Sequence, residues 1–259
     1  MAPPGIVFLM YHELELAGRS LAQAEPGYVR YILREPTFRS QIDWLRKNGW
    51  HGLSVTEALQ YPSEKSVALT FDDGCETDLI TAAPILLQAG FHATFYVTTG
   101  FLDKPGYVST AQLRQLSDLG LEIGCHSMTH PYLDDIGADE LRREVVDARL
   151  RLQDVTGSAV DHFSCPGGRY DERTVTLAKQ TGYRSLATSR VHMNFASTDT
   201  FALGRVPVMR ATGLTDFENI CGGTILWKMR LSETVRGSAR KLLGNSFYDR
   251  VRDGLLGRA

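Results

Sequence analysis

From Ile6 to about Val208, short apolar runs alternate with stretches in which apolar positions recur every three or four residues. The runs Ile6–Tyr11, Gly52–Val55, Val67–Phe71, Ala93–Val97, Glu122–Cys125, His162–Ser164, Ser185–Thr188 and Leu203–Val208 read as strands. Several are apolar almost throughout, which suits a parallel sheet buried on both faces. Between them, Phe38, Ile42 and Leu45 predict a helix ending at Gly49, and Leu79, Ala82, Ala83, Leu86 and Leu87 predict one ending at Gly90. A third helix opens at Thr110, taken as its N-cap, and stops at Gly120; a longer one runs from about Asp139 to Val155 and stops at Gly157. Repeated strand–helix units with no linker or internal repeat predict one α/β domain, either a barrel or a doubly wound sheet. Glu13 to Pro36 has weak periodicity, several turn-formers and the pair Tyr28/Tyr31, so it reads as a loop after the first strand, where clefts are often lined.

Beyond Leu214 the pattern changes. Ile225, Met229, Val235, Leu242, Leu243, Tyr248 and Val251 stand among many basic residues, with Gly237 and Gly244 interrupting. The expected division is a barrel domain over residues 1–212 and a basic amphipathic helical extension over 213–259. Such an extension most simply packs on the barrel; a peripheral membrane or protein contact is the other reading.

Composition narrows the function classes. At 259 residues the chain can bury one large core, and a formal net charge of -2 gives no global attraction to nucleic acid or another polyanion. Cys75, Cys125, Cys165 and Cys221 are widely spaced with no CxxC pair, which argues for reduced thiols rather than a thiolate zinc site or a disulfide framework. No run reaches transmembrane length, and Pro3-Pro4-Gly5 stands where a secretory leader would be basic, so the expectation is a cytoplasmic, at most membrane-peripheral, protein.

Two segments carry chemistry. In Leu69-Thr70-Phe71-Asp72-Asp73-Gly74, two adjacent carboxylates end an apolar strand just before a glycine that permits a sharp turn. Neighbouring carboxylates repel unless a cation offsets them, so one could bind metal while the other handles protons; the plain alternative is an exposed Asp-Asp-Gly hairpin turn. In His126-Ser127-Met128-Thr129-His130, which follows the strand Glu122–Cys125, two imidazoles four apart would share one face if the segment were a helical turn. Two histidines and an aspartate leave coordination positions open, as catalytic rather than structural sites do.

Together, Thr70-Phe71-Asp72-Asp73-Gly74 and His126-Ser-x-x-His130 resemble the first two motifs of the polysaccharide deacetylase family, carbohydrate esterase family 4. The resemblance covers about residues 6–210 and implies a distorted (β/α) barrel of seven or eight strands. It implies Asp72 as general base, and Asp73, His126 and His130 as ligands of one divalent metal. Zinc is the default from ligand type, with cobalt, nickel, manganese and iron open. The third motif matches in part, as Phe163-Ser164-Cys165-Pro166-Gly167-Gly168-Arg169-Tyr170. Ser164 stands for the usual arginine and Gly167 for the usual tyrosine, though the Gly167 N–H can still face an oxyanion. Arg205, in Leu203-Gly204-Arg205-Val206, could supply the missing positive charge to Asp72, or could be a surface arginine. The family's C-terminal Leu-x-His motif is absent, since His192 lies in a polar stretch. An apolar strand ending in Tyr11-His12 resembles the start of circularly permuted poly-N-acetylglucosamine deacetylases, which implies His12 as general acid. The reaction implied is hydrolysis of the acetamide of an N-acetylated glycan or sugar precursor. The rivals are a cyclic-amide hydrolase or deformylase on the same barrel, and a catalytically silent sugar-binding module.

Overall fold

The computed structural model describes residues 5–231. β1 (Val7–Tyr11) leads into a covering segment in which β2 (Leu14–Glu15) and β3 (Leu33–Arg34) pair with each other and α1 (Pro26–Val29) lies between them. The expected loop therefore has a short ladder and one helical turn. α2 (Glu35–Lys47), β4 (His51–Leu53), α3 (Val55–Gln60) and β5 (Ser66–Asp73) follow. A π turn at Asp78–Ala82 then enters α4 (Ala83–Ala89), which ends at a left-handed Gly90. β6 (Thr94–Val97), α5 (Thr110–Asp118) and β7 (Glu122–Cys125) come next. α6 (Ala138–Arg142) passes through a π turn into α7 (Ala148–Thr156), closed by a left-handed Gly157. β8 (His162–Ser164), α8 (Glu172–Thr181), β9 (Ser185–Ala187), β10 (Val206–Pro207) and α9 (Leu214–Cys221) complete the described chain.

All eight runs read as strands fall in one parallel eight-stranded sheet, ordered β10-β1-β5-β6-β7-β8-β9 with β4 on the lower half of β5. The segment around Leu203 bridges Ala187 while Val206 and Pro207 pair with Leu9 and Met10, so the sheet curls back on itself. Most boundaries shift by one to three residues, and two of the shifts have a cap as their cause. Val55 begins α3 rather than ending a strand, because Ser54 caps it in a capping box with Glu57. Ser109, not Thr110, caps α5, again with a reciprocal partner, Gln112.

Alternation along β5 explains the layers. Val67, Leu69 and Phe71 join the core beneath the helices, with Phe38, Ile42 and Leu45 of α2. Ala68, Thr70 and Asp72 take the alternate positions, on the inward side with Ile6, Phe8 and Tyr96. α3 closes the bottom of that interior with Val55 and Ala58. Small inward residues at the top of β5 leave room in the interior for one long side chain, Arg205. α9 packs on α2 through Trp44 and Phe217, whose rings lie 6.1 Å apart. Of the basic extension expected over 213–259, residues 232–259 lie outside the described residues. No helix among the described residues is long and apolar enough to cross a membrane, and the four cysteines are free and buried.

The strands' N-terminal ends are closed by a polar plug. Glu122 accepts from the N–H groups of Val55 and Thr56 at 3.1 and 3.3 Å and from the Thr94 hydroxyl, and lies 3.5 Å from His162, which bonds Ser185 and Thr56. Burial disfavours its charge, but His162 and these donors outweigh it and hold its carboxyl below the ordinary value. A carboxyl whose folded value is depressed stabilises the fold above its unfolded value, and that contribution fades as pH falls through the folded one. Glu122→Gln is expected to cost about 1–3 kcal/mol in urea unfolding at neutral pH. The gap to the parent protein should close below about pH 4. An equal gap at both pH values would rule out the charge as its source.

Candidate active site

β5 delivers both carboxylates at its C-terminal end, and the chain then turns through left-handed backbone at Asp73 (φ 80°) and Gly74 (φ 78°). A side chain at Gly74 would also meet Val97, 2.9 Å from the Cβ position. The next strand, β6, is parallel to β5, so the hairpin reading of Asp-Asp-Gly does not hold. Asp72 is 2% exposed and Asp73 4%.

His126 follows β7 directly, beside the end of β5 in sheet order β5-β6-β7. The segment to His130 is not a helical turn: Ser127 (φ 67°) and His130 (φ 65°) are left-handed, and the chain bends instead. The rings converge all the same, with centroids 5.0 Å apart. His126 Nδ1 lies 2.9 Å from the Ser164 carbonyl, to which it donates, which leaves Nε2 as the free lone pair. That nitrogen is 3.7 Å from Asp73 Oδ1, and His130 Nε2 is 3.5 Å from the same oxygen. One donor atom from each of Asp73, His126 and His130 falls within 4.8 Å of the other two. Burial pushes His126 down to about 4, so its imidazole is neutral at pH 7. Asp73 Oδ1 is buried and has no hydrogen-bond partner. An orphaned carboxylate oxygen facing two imidazole nitrogens fits a divalent cation.

Arg205 is fully buried and forks onto Asp72, with Nη1 2.7 Å from Oδ1 and Nη2 2.8 Å from Oδ2. It also donates to Ser164 Oγ at 2.7 Å, to Thr70 Oγ1 at 3.3 Å and to the Thr188 carbonyl at 3.1 Å. The surface reading of Arg205 therefore does not hold. Burial opposes the charge on Asp72, but the guanidinium outweighs it and holds the carboxyl well below the usual carboxylate range. Ser164 is one of the acceptors that fix the arginine arriving from the other end of the chain.

His12 ends β1 next to β5, partly exposed, with its ring 4.9 Å from that of Tyr31 and a buried Nδ1 that has no partner. Burial lowers its pKa, while the charges of Asp73 and Asp72 pull it up. Gly167 is exposed at φ 59° in a short turn after β8. His192 bonds the Met193 carbonyl and its ring fits over Gly204, apart from these groups.

Sequence reasoning missed Glu144. This buried carboxylate accepts from the N–H groups of Met128 and Thr129 at 2.7 and 2.8 Å and from the Thr129 hydroxyl at 2.6 Å, and so grips the loop between the two histidines. A signal was available: 144 falls on the same helical face as Leu141, Val145, Ala148 and Leu152, where a charge needs a partner.

Against known proteins, a profile of the polysaccharide deacetylase family matches residues 60–186. The chain is 27% identical over 212 residues to a Bacillus subtilis (strain 168) protein named "Putative polysaccharide deacetylase YxkH", covering 80% of this chain and 72% of that one. It is 29% identical over 129 residues to the chitooligosaccharide deacetylase of Azorhizobium caulinodans, covering 49% of this chain and 60% of the relative. In fold it is similar to Streptococcus pyogenes deacetylase PplD in complex with acetate, with a TM-score of 0.74 and 24% identity over 85% of this chain and 99% of that one.

Proposed function

Because this chain belongs to the polysaccharide deacetylase family, we propose that it is a metal-dependent hydrolase removing the N-acetyl group from an amino sugar of a glycan or its precursor. One observation carries the reading: Asp73 Oδ1, buried and without a hydrogen-bond partner, faces the Nε2 atoms of two imidazoles beside an Asp72 kept ionised by Arg205. Asp73, His126 and His130 would hold the ion, and two nitrogens with one oxygen suit zinc. When bound, such an ion polarises an acyl oxygen and lowers the pKa of water.

Asp72 serves as the base. Arg205 occupies both its oxygens from one side, which fixes the plane of the carboxylate and leaves the remaining lone pairs for the proton of the attacking water. The Gly167 N–H faces the oxygen on which charge develops, a donor worth about 3 kcal/mol when aimed at the transition state. His12 hands a proton to the departing amine nitrogen.

Acetate release from N-acetylglucosamine oligomers, lost on chelation and restored by zinc, is the expected result. Formate release from a formamide, or ring opening of a cyclic amide, with no acetate from any N-acetylated glycan, would replace this reading with the rival hydrolases. His12→Ala is expected to lower kcat by about 10²–10⁴ with zinc content unchanged. Activity within about twofold of the parent would return His12 to a packing role.

A further inference from the structure

Tyr132 stands two residues after His130, and Arg169 lies across its ring, the guanidinium carbon 3.8 Å from the centroid. Arg169 is itself buried and paired with Asp135 at 3.6 Å. The ring's edge comes up against Gly167: a Cβ there would lie 2.7 Å from Cε1 and 3.2 Å from Cδ1 of Tyr132. Gly167 is bare because the ring of Tyr132 stands where its side chain would go. These contacts fix an aromatic plate at the junction of two loops. One carries His126 and His130. The other begins at Ser164, whose carbonyl orients His126 and whose hydroxyl accepts from Arg205.

A tyrosine that only filled space at this junction would be buried, yet Tyr132 is partly exposed and Gly167 beside it is open to solvent. One face of the ring is covered by Arg169, and the exposed area is left for a ligand. A pyranose ring presents a face of C–H groups that packs on an aromatic plane, with its hydroxyls left to solvent and to polar neighbours. Resting on the deacetylase reading, we propose that Tyr132 is a substrate-positioning residue, a platform on which a sugar ring stacks so that its acetamide reaches Gly167 and the carboxylates.

The test uses the full chain and the N-acetylglucosamine tetramer as probe, in two measurements. Calorimetric titration into metal-free protein reads recognition without turnover; zinc-loaded kinetics on the tetramer and on p-nitrophenyl acetate, which has no sugar, read catalysis. Tyr132→Ala is expected to weaken tetramer binding and raise KM about tenfold, with kcat, ester turnover and zinc content nearly unchanged. Tyr132→Phe, which keeps the plane, should restore both. Equal tetramer binding by Tyr132→Ala and the parent overturns the platform. So does a joint loss of ester turnover and zinc, which marks a residue that merely props the loop. A parent protein that binds the tetramer but releases no acetate sinks the deacetylase reading and leaves the platform standing. A tetramer kcat/KM that Tyr132→Ala does not alter sinks the platform alone, and a parent that neither binds nor cleaves sinks both.

Discussion

Arg205→Met is expected to abolish acetate release and to remove about 3–5 kcal/mol of folding stability, the cost of leaving a buried carboxylate without its partner. Asp72 and Arg205 are 2% and 0% exposed, so neither can turn to water when the other is lost. The pH dependence carries the sign. In the parent protein the folded-state value of Asp72 is depressed. Its contribution is therefore full above the unfolded value of about 3.9 and is lost as pH falls further. With methionine at 205 the burial penalty loses its main opponent, leaving only the weaker pull of His126 and His12 against it, which raises the folded value above the unfolded one. The variant should then gain stability as pH falls from about 7 to 4, where the parent gains nothing from Asp72. Asp72→Leu combined with Arg205→Met, two apolar groups filling the same interior, should recover about 2 kcal/mol or more over Arg205→Met alone and no turnover at all. Guanidinium midpoints over this pH range decide it: parallel curves for the parent protein and Arg205→Met would mean that the fork does not control the charge on Asp72.

Arg205 also marks the limit of what the chain discloses without its fold. All eight strands were legible because a buried parallel sheet writes itself as apolar runs, and the glycines at 90 and 157 close helices where left-handed caps require them. The candidate cluster was legible because Asp73, His126 and His130 sit within two short segments at strand ends. Arg205 lies 133 residues from Asp72, and only the curling of the sheet brings β10 against β1 and the arginine into the interior; no local pattern encodes that. Ser164 looked like a loss at a position where a charge was wanted. Its hydroxyl accepts from the same arginine. The two histidines were read as one face of a helical turn, and the spacing does bring them together, but through left-handed backbone at Ser127 and His130. The pattern of those five residues does not disclose that conformation, because part of what holds it, Glu144, arrives from a later helix.

Loss of stoichiometric zinc is the expected outcome of His126→Ala, since two donors cannot hold the ion as three do. Glu144→Ala keeps all three ligands and so separates coordination from the scaffold that aims it. Ser127 and His130 occupy a backbone region that costs a non-glycine residue of order 1–3 kcal/mol, and such residues persist only where surrounding bonds over-determine them. Beside the His130 N–H to Ser127 Oγ and the Thr99 and Gly100 N–H groups to the Ser127 and Met128 carbonyls, three such bonds are those that Glu144 accepts from Met128 and Thr129, between the two strained positions. Without them the loop relaxes and His130, the more exposed of the two imidazoles with its side chain 33% accessible, swings from Asp73 first. Zinc affinity should fall about 10–100-fold, the usual cost of removing a group that orients a ligand. Glu144→Gln, which keeps one acceptor oxygen, should fall between. Competition against a chromophoric chelator measures all three variants on one scale. Zinc held by Glu144→Ala as tightly as by the parent protein would mean that the loop keeps its shape unaided, and that the strain at Ser127 and His130 is balanced by some other contact.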